Sequence, residues 1–332
     1  MGKDALQEIE TEKRIGGAGQ LVVRDVPVID MGDFHNRHAE IADELWHAAT
    51  QVGFFQLSNH GISEALIDAA FAQSQAFFDQ SPDIKAQMAL KPGTNAGWEH
   101  TSQVRPSTGT ADQKESYQIT LPRMAGLWPD PDALQSFKVT MLEFERQNWA
   151  VAMRVLQCFA RKLDLAPSLF SVGHDPLAPE YQSTLRLLHY LPLTDADQAP
   201  GMWRAGAHTD FDCLTLLHQR DGQGGLQICP GKDAAAGEVH WSDVPPVSGL
   251  ITCNIGDMLR RWSDDRLLST LHRVRMPAPG ESTAARQSIA YFAQANTNTV
   301  LQGPDALYPP ITAHDYIQMR LKANFAGTAK PL

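Results

Sequence analysis

The chain has 332 residues, 43% hydrophobic and 20% charged, with 28 Lys plus Arg against 38 Asp plus Glu for a formal net charge of −10. This is a globular composition with material for about two structural units or one large one, and its acidic balance gives no reason to expect a nucleic-acid or anionic-membrane partner. No apolar run is long enough for a transmembrane helix, the N-terminus MGKDALQEIETEKR lacks the apolar stretch of a secretory signal, and the scattered Cys158, Cys213, Cys229 and Cys253, with no CxxC pair, point to a reducing cytoplasm rather than a disulfide scaffold or zinc ribbon.

Residues 1–25 are polar and contain glycines, as a loosely held arm does, and VPVID (26–30) reads as a short strand. Ile41, Leu45, Ala48, Ala49 and Val52 keep helical spacing over 38–52, up to Gly53, and FFQLSNHG (54–61) follows as a buried strand and turn. A second helix is expected over 63–79, and Ser81-Pro82 has the form of a cap with proline at the first helical position. The Gly-, Thr-, Ser- and Asn-rich stretch 92–113 is expected to be a long loop near the function. The longest helix is expected over 131–163, on the three-to-four spacing of Leu134, Phe137, Met141, Phe144, Met153, Leu156, Phe159 and Leu163.

From 184 to 295 the pattern changes to short apolar bursts between turns: TLRLLHYL, CLTLLHQ, LQIC, GLITCNIG, STLHRVRM and RQSIAYFAQ. Many short strands without intervening helices predict an antiparallel sandwich or barrel rather than βαβ units. A last helix is expected from about Thr312, on the capping pattern Thr312-x-x-Asp315. No dinucleotide or P-loop fingerprint is present.

His208-Thr209-Asp210 carries the chemistry. In a strand, residues two apart share a face, so one imidazole and one carboxylate project together while Thr209 points away. A third ligand has to come from elsewhere, and His272 lies in another expected strand, STLHRV. Two histidines and a carboxylate on one side of an octahedral ion leave positions open for a bidentate co-substrate and dioxygen, the non-haem Fe(II) arrangement. Zinc hydrolysis with the same ligands is chemically possible as well. Among the 12 histidines, His35, His38 and His47 read as surface residues, His240 and His314 as turn or helix-start residues, His218 as core, and His60 as a packed, hydrogen-bonded residue. Asn254, Gly256 and Asp257 read as a tight turn.

The sequence resembles the plant-type iron/ascorbate, 2-oxoglutarate-dependent oxygenases, the isopenicillin N synthase-like family. The marks are VPVIDM (26–31), QVGFFQLSNHGIS (51–63), LLHYLP (187–192), GAHTDFDCLTLL (206–217), GGLQI (224–228), NIGDMLRRWSDDRLLSTLHRV (254–274) and RQS (286–288), in the family's order and spacing. The resemblance implies a mostly β fold with helices: a double-stranded β-helix, or jelly-roll, core with an N-terminal helical region and a long spine helix. It divides the chain into an N-terminal non-haem dioxygenase region (1–130), the spine helix and connection (131–180), the oxygenase core (181–300) and a C-terminal helix and tail (301–332). It implies His208, Asp210 and His272 as Fe(II) ligands, Arg286 and Ser288 as the pair that holds the distal carboxylate of 2-oxoglutarate, and Tyr190 as a further co-substrate contact. Leu188 stands where plant members often carry an asparagine, and Leu191 separates Tyr190 from Pro192.

The implied activity is dioxygen-dependent hydroxylation, desaturation, dealkylation or cyclisation of a small organic metabolite, with succinate and CO2 as co-products and ascorbate as a reductant. The alternative within the family is an oxidase that uses no 2-oxoglutarate. A metal-free jelly-roll binding module would require His208, Asp210 and His272 to be coincidental. Candidates for the substrate pocket are Trp98, Gln103, Arg105, Trp203, Arg204, Phe211 and Phe292. The expected protein is a cytoplasmic monomer or weak homo-oligomer with no nucleic-acid or membrane partner.

Overall fold

A computed structural model of the chain describes residues 19–101, 112–194 and 203–325. After β1 (Gln20–Leu21) and β2 (Val28–Asp30), helix α1 (Phe34–Gln51) buries Phe34, Ile41, Ala42, Leu45, Ala48 and Ala49 along one stripe, beginning ahead of the predicted 38–52. Strand β3 (Phe54–Ser58) leads to α2 (Glu64–Phe78), where the Ser63 side chain accepts a hydrogen bond from the Leu66 amide. Helix α3 (Pro82–Ala86) has proline in its first turn as predicted, although the Ser81 side chain makes no capping bond. Strands β4 (Gly97–His100) and β5 (Lys114–Ile119) follow. β4 falls inside the stretch expected to be loop, and pairs antiparallel with β5 from Gly97 opposite Gln118 to His100 opposite Glu115.

The spine helix α4 runs Phe137–Lys162, later than the predicted start: Asp130 Oδ1 accepts from the Asp132 amide in a turn that precedes it. It packs on α1, α2 and two strands of the core. After α5 (Leu169–Gly173) come β6 (Thr184–Tyr190), β7 (Ala205–His208), β8 (Leu214–His218), β9 (Leu226–Cys229), α6 (Gly231–Ala236), β10 (His240–Asp243), β11 (Ile251–Ile255), α7 (Asp257–Trp262), β12 (Leu271–Val274), β13 (Arg286–Ala293), β14 (Val300–Leu301), β15 (Ile311–Thr312) and α8 (Ala313–Phe325). His240, expected in a turn, opens β10. Thr312 Oγ1 accepts from the Asp315 amide at 3.1 Å, as the capping pattern predicts.

The larger sheet has eight strands in the order β2-β3-β11-β8-β13-β6-β5-β4, and the smaller has five in the order β1-β10-β9-β12-β7. One face of the larger sheet packs on the helices: Tyr117, Leu185, Leu187, Leu216, Cys253, Ile289 and Tyr291 join the helix side chains in the main core. Its other face, through Phe54, Leu188, Tyr190 and Ala290, meets Ala205, Leu226, Ile228 and Val274 of the smaller sheet in a second core. Two facing sheets that enclose their own interior make a jelly roll, and each strand's alternation sends one residue set to the helices and the other inward. Among the described residues, no helix is long and apolar enough to cross a membrane.

Candidate active site

Antiparallel β7 and β12 set His208 directly opposite His272. Each ring is oriented by a carbonyl two residues earlier: His208 Nδ1 lies 2.7 Å from Gly206 O, and His272 Nδ1 lies 3.2 Å from Thr270 O. A carbonyl only accepts, so Nδ1 carries the proton and Nε2 offers its lone pair, the arrangement that metal-ligating imidazoles use. β7 ends at His208, so Asp210 stands in the turn beyond the strand rather than on it. Its Oδ1 nevertheless faces both rings, 3.8 Å from His208 Nε2 and 3.7 Å from His272 Nε2. Its Oδ2 is held from behind by Thr215 Oγ1 at 2.6 Å and Asn254 Nδ2 at 2.9 Å. The three ligand atoms lie within 4.8 Å of one another. Two imidazole lone pairs and one carboxylate oxygen on a common side fit a single divalent cation with open positions.

The turn that carries Asp210 is fixed by its neighbours. The Asp257 amide donates to Asp210 O at 2.8 Å and the Met258 amide to Asp212 O at 3.0 Å, so the start of α7 caps the turn. The segment expected to be a tight turn at Asn254–Asp257 is therefore the junction of β11 and α7. Glycine is required at 256 because a Cβ there would lie 2.2 Å from Asp212 O. Thr209 points away as predicted, and its hydroxyl donates to Asp257 Oδ2 at 2.9 Å. Asp257 Oδ2 also lies 2.6 Å from Arg320 Nη2, both side chains being fully buried. The Arg320 guanidinium stands 4.7 Å from the centre of the Phe211 ring. Asp212 is buried beneath the turn, and burial, followed by the charge of Asp210, holds its carboxyl well above the ordinary range.

A second polar group lies inside the roll. The register of β13 on β6 pairs Arg286 with Tyr190 and Ser288 with Leu188. Arg286 Nε donates to Gln223 O at 2.7 Å, and the guanidinium lies 4.7 Å from the Tyr190 ring centre. Arg286 Nη1 and Ser288 Oγ are buried and have no hydrogen-bond partner among the described residues. Buried donors of this kind are costly to leave unpaired, and an anion satisfies them. Arg204, expected near substrate, belongs to this same end. Its Nη2 donates to Ala284 O at 2.9 Å, and burial, then the charge of Arg286, lowers its pKa from the ordinary arginine value.

The other pocket candidates separate by face. Phe292 pairs with Thr215 on one side and Thr184 on the other, on the inner face and beside the residue that holds Asp210. Trp98 pairs with Tyr117, whose ring is in the helix-side core, and its Nε1 donates to Glu115 Oε2 at 2.7 Å. It is therefore turned away from the interior, and its neighbour Glu99 is turned toward it. Trp203 stacks on Arg273 at 4.6 Å, on the strand face opposite to that of His272, and stays outside as well. Gln103 and Arg105 lie outside the described residues. Sequence reasoning missed Thr215 and Arg320 around Asp210, and read Asn254 and Asp257 as a turn without their contacts to the Asp210 carboxylate and its turn. Thr215 and Asn254 carried a usable signal, since each lies on an expected strand adjacent to a ligand turn.

A jelly roll that presents two histidines and a carboxylate in this way defines a non-haem metal oxygenase. Residues 26–132 match the family described as non-haem dioxygenase in morphine synthesis N-terminal, and residues 181–295 match the 2OG-Fe(II) oxygenase superfamily. The chain belongs to the 2OG-Fe(II) oxygenase superfamily. It is 30% identical to proline hydroxylase buaE of Petromyces alliaceus, with 90% of this chain and 98% of that one covered. It is 31% identical to the 2-oxoglutarate-Fe(II) type oxidoreductase hxnY of Emericella nidulans, with 90% of each covered. The crystal structure of a full-length Neurospora crassa protein in complex with alpha-KG superposes with a TM-score of 0.79 at 29% identity, covering 92% of this chain and 99% of that one. The protein is thus a 2-oxoglutarate-dependent dioxygenase that uses Fe(II) and dioxygen on a small molecule, rather than the 2-oxoglutarate-independent oxidase or the metal-free module.

Proposed function

We propose that His208, Asp210 and His272 hold Fe(II), that Arg286, Ser288 and Tyr190 hold the distal carboxylate of 2-oxoglutarate, and that a small organic substrate lies on the inner face at Phe292. The observation that carries this reading is the pair of buried donors, Arg286 Nη1 and Ser288 Oγ, without a hydrogen-bond partner among the described residues, on the inner face of the larger sheet, opposite the strands that carry His208 and His272. Arg286 contributes a planar fork suited to a carboxylate, the Tyr190 ring supports that fork from below, and Arg204 adds positive charge at the same end. Thr215 and Asn254 keep Asp210 Oδ2 occupied, so Oδ1 remains directed at the metal position. Nδ1–H bonds to backbone carbonyls hold both imidazoles in the ligating tautomer. When bound, iron and 2-oxoglutarate supply the oxidation: dioxygen is consumed, 2-oxoglutarate becomes succinate and CO2, and one oxygen atom enters the substrate. The protein's own task is orientation, which the choice between hydroxylation and its variants depends on. All these residues come from one chain, so the site needs no second copy.

The test is anaerobic. Adding 2-oxoglutarate to the Fe(II)-loaded protein is expected to give a metal-to-ligand charge-transfer absorbance, and His208→Ala, Asp210→Ala and His272→Ala are each expected to lose it together with stoichiometric iron while staying folded. Full iron occupancy in His272→Ala would overturn the ligand assignment.

A further inference from the structure

We propose that Gln219 is a further co-substrate-binding residue: its side-chain amide donates to the distal carboxylate of 2-oxoglutarate beside Arg286 and Ser288, so that this end of the roll selects a dicarboxylic 2-oxo acid. The proposal rests on the iron and 2-oxoglutarate reading above.

Gln219 follows directly on β8. The preceding His218 is turned to the helices, its Nε2 lying 2.7 Å from Asn148 Oδ1 on the spine helix. Alternation therefore turns Gln219 inward. The register pairs His218 with Ile289 of antiparallel β13, so the next step along both strands brings Gln219 beside Ser288. Residues opposite one another on neighbouring strands have their Cβ atoms about 5 Å apart, close enough for one carboxylate to reach both side chains. On the other flank of β8 stands β11, where Thr252 also faces inward, since its neighbours Ile251 and Cys253 are in the helix-side core.

A chain of hydrogen bonds decides which end of the Gln219 amide is left over. Gln56 Nε2 donates to Pro245 O at 3.2 Å, and a carbonyl only accepts, so this atom is the amide nitrogen. The same nitrogen donates to Thr252 Oγ1 at 3.1 Å. A hydroxyl has one proton to give, and that of Thr252 goes on to Gln219, 3.4 Å away. The Gln219 atom that meets it is therefore the oxygen, Oε1. Nε2 is the opposite end, buried and without a hydrogen-bond partner among the described residues. Gln219 is 4% exposed, so bulk water does not reach it readily.

Three buried donors, Arg286 Nη1, Ser288 Oγ and Gln219 Nε2, thus gather at one end of the interior on two neighbouring strands. An ionised carboxylate offers about four lone-pair positions and no proton, which matches a set that can only give. The neutral amide adds a bond to the anion without adding charge, and the chain from Gln56 through Thr252 holds that amide in the donating orientation before the co-substrate arrives.

Two acids that share the keto group and the C1 carboxylate but differ at the far end, 2-oxoglutarate and 2-oxopentanoate, test this when titrated anaerobically into the Fe(II)-loaded protein while the charge-transfer band is followed. Gln219→Met is expected to weaken 2-oxoglutarate binding roughly tenfold or more, with iron content and the 2-oxopentanoate titration unchanged. Thr252→Val, which removes the hydroxyl that orients the amide, is expected to give a smaller loss of the same kind, and Thr252→Ser none. Equal losses for the two acids would confine Gln219 to a structural role, and an unchanged 2-oxoglutarate titration would leave its amide to water; either result overturns the proposal. Where Gln219→Met fails to fold, the Thr252 variants decide by the same comparison. A wild-type protein that gives no band, or that does not distinguish the two acids, would instead sink the co-substrate reading and the proposal with it.

Discussion

At Tyr190 the register of two strands decides what one side chain can do. Sequence spacing puts Leu188 and Tyr190 on one face and suggests a phenolic donor standing beside a residue that cannot donate. In the fold, Leu188 lies opposite Ser288, and the Tyr190 ring lies beneath the Arg286 guanidinium. The ring and the hydroxyl then have separable roles. A phenol donating to a carboxylate contributes about 1.5–3 kcal/mol, and a desolvated cation–π contact about 2 kcal/mol. Tyr190→Phe keeps the ring and is expected to weaken 2-oxoglutarate binding by about tenfold or somewhat more. Tyr190→Leu removes both and is expected to cost about a further 30-fold. Charge-transfer titrations of the two variants check this, and superimposable curves for Tyr190→Phe and wild type would confine the residue to the role of a platform. The same parity argument explains what was legible here. That His208, Asp210 and His272 come together could be read because motif and spacing carry them. Trp98 and Glu99 differ by one residue and therefore face opposite sides, and a strand's register is fixed by partners that its own sequence does not name.

At the scale of elements, two helices that bear no ligand determine where Asp210 stands. The start of α7 caps the ligand turn, and α8 holds α7 through the fully buried Arg320–Asp257 pair. Removing one member of such a pair strands the other charge and costs about 3–5 kcal/mol, whereas replacing both with apolar side chains is often neutral. Arg320→Met is therefore expected to lower stability by about that amount and to weaken Fe(II) binding at least tenfold. The double variant Arg320→Met, Asp257→Leu is expected to recover stability without recovering iron affinity, because the Thr209 hydroxyl, next to both ligand positions, has lost its carboxylate partner. Thermal melts of the apo-protein and Fe(II) titrations separate the two effects, and iron affinity that returns together with stability would make the pair purely structural. Strands β6, β8, β9, β11, β12 and β13 were legible because each is a short apolar burst bounded by turn residues. α7 was not, since six residues are too few to show a helical period and Asn-Ile-Gly-Asp reads equally well as a turn. β10 and β4 carry polar residues that mask the alternation.

The whole molecule's response to pH combines buried groups with opposite effects. Glu145, on the spine helix, is 3% exposed and accepts a hydrogen bond from Tyr181, whose hydroxyl lies 2.9 Å from that of Tyr291 on β13. Burial pushes its carboxyl up to about 7 even though the Tyr181 bond lowers it. A carboxyl raised in the folded state binds its proton more tightly there than in the unfolded chain. Its contribution is therefore full below the unfolded value of 4.5 and is lost as pH rises toward about 7. His174 and His218 act in the opposite sense. Burial lowers His174 to about 4, and burial with the charge of His60 lowers His218 to about 3. Unfolding lets both charge, so the stability they contribute is lost as pH falls below 6.5. Because the opposing contributions overlap in mild acid, the wild-type profile cannot isolate Glu145, but a difference between variants can. Glu145→Gln removes the carboxylate while leaving an acceptor for Tyr181. Its stability relative to wild type is expected to rise by about 2–3 kcal/mol between about pH 5 and about pH 8, which for a chain of this length is about 4 °C in melting temperature. Parallel thermal melts of the two proteins across that range measure the difference directly. A constant offset with pH would mean that Glu145 titrates at its ordinary value in the fold and that the Tyr181–Tyr291 link stabilises its charged form.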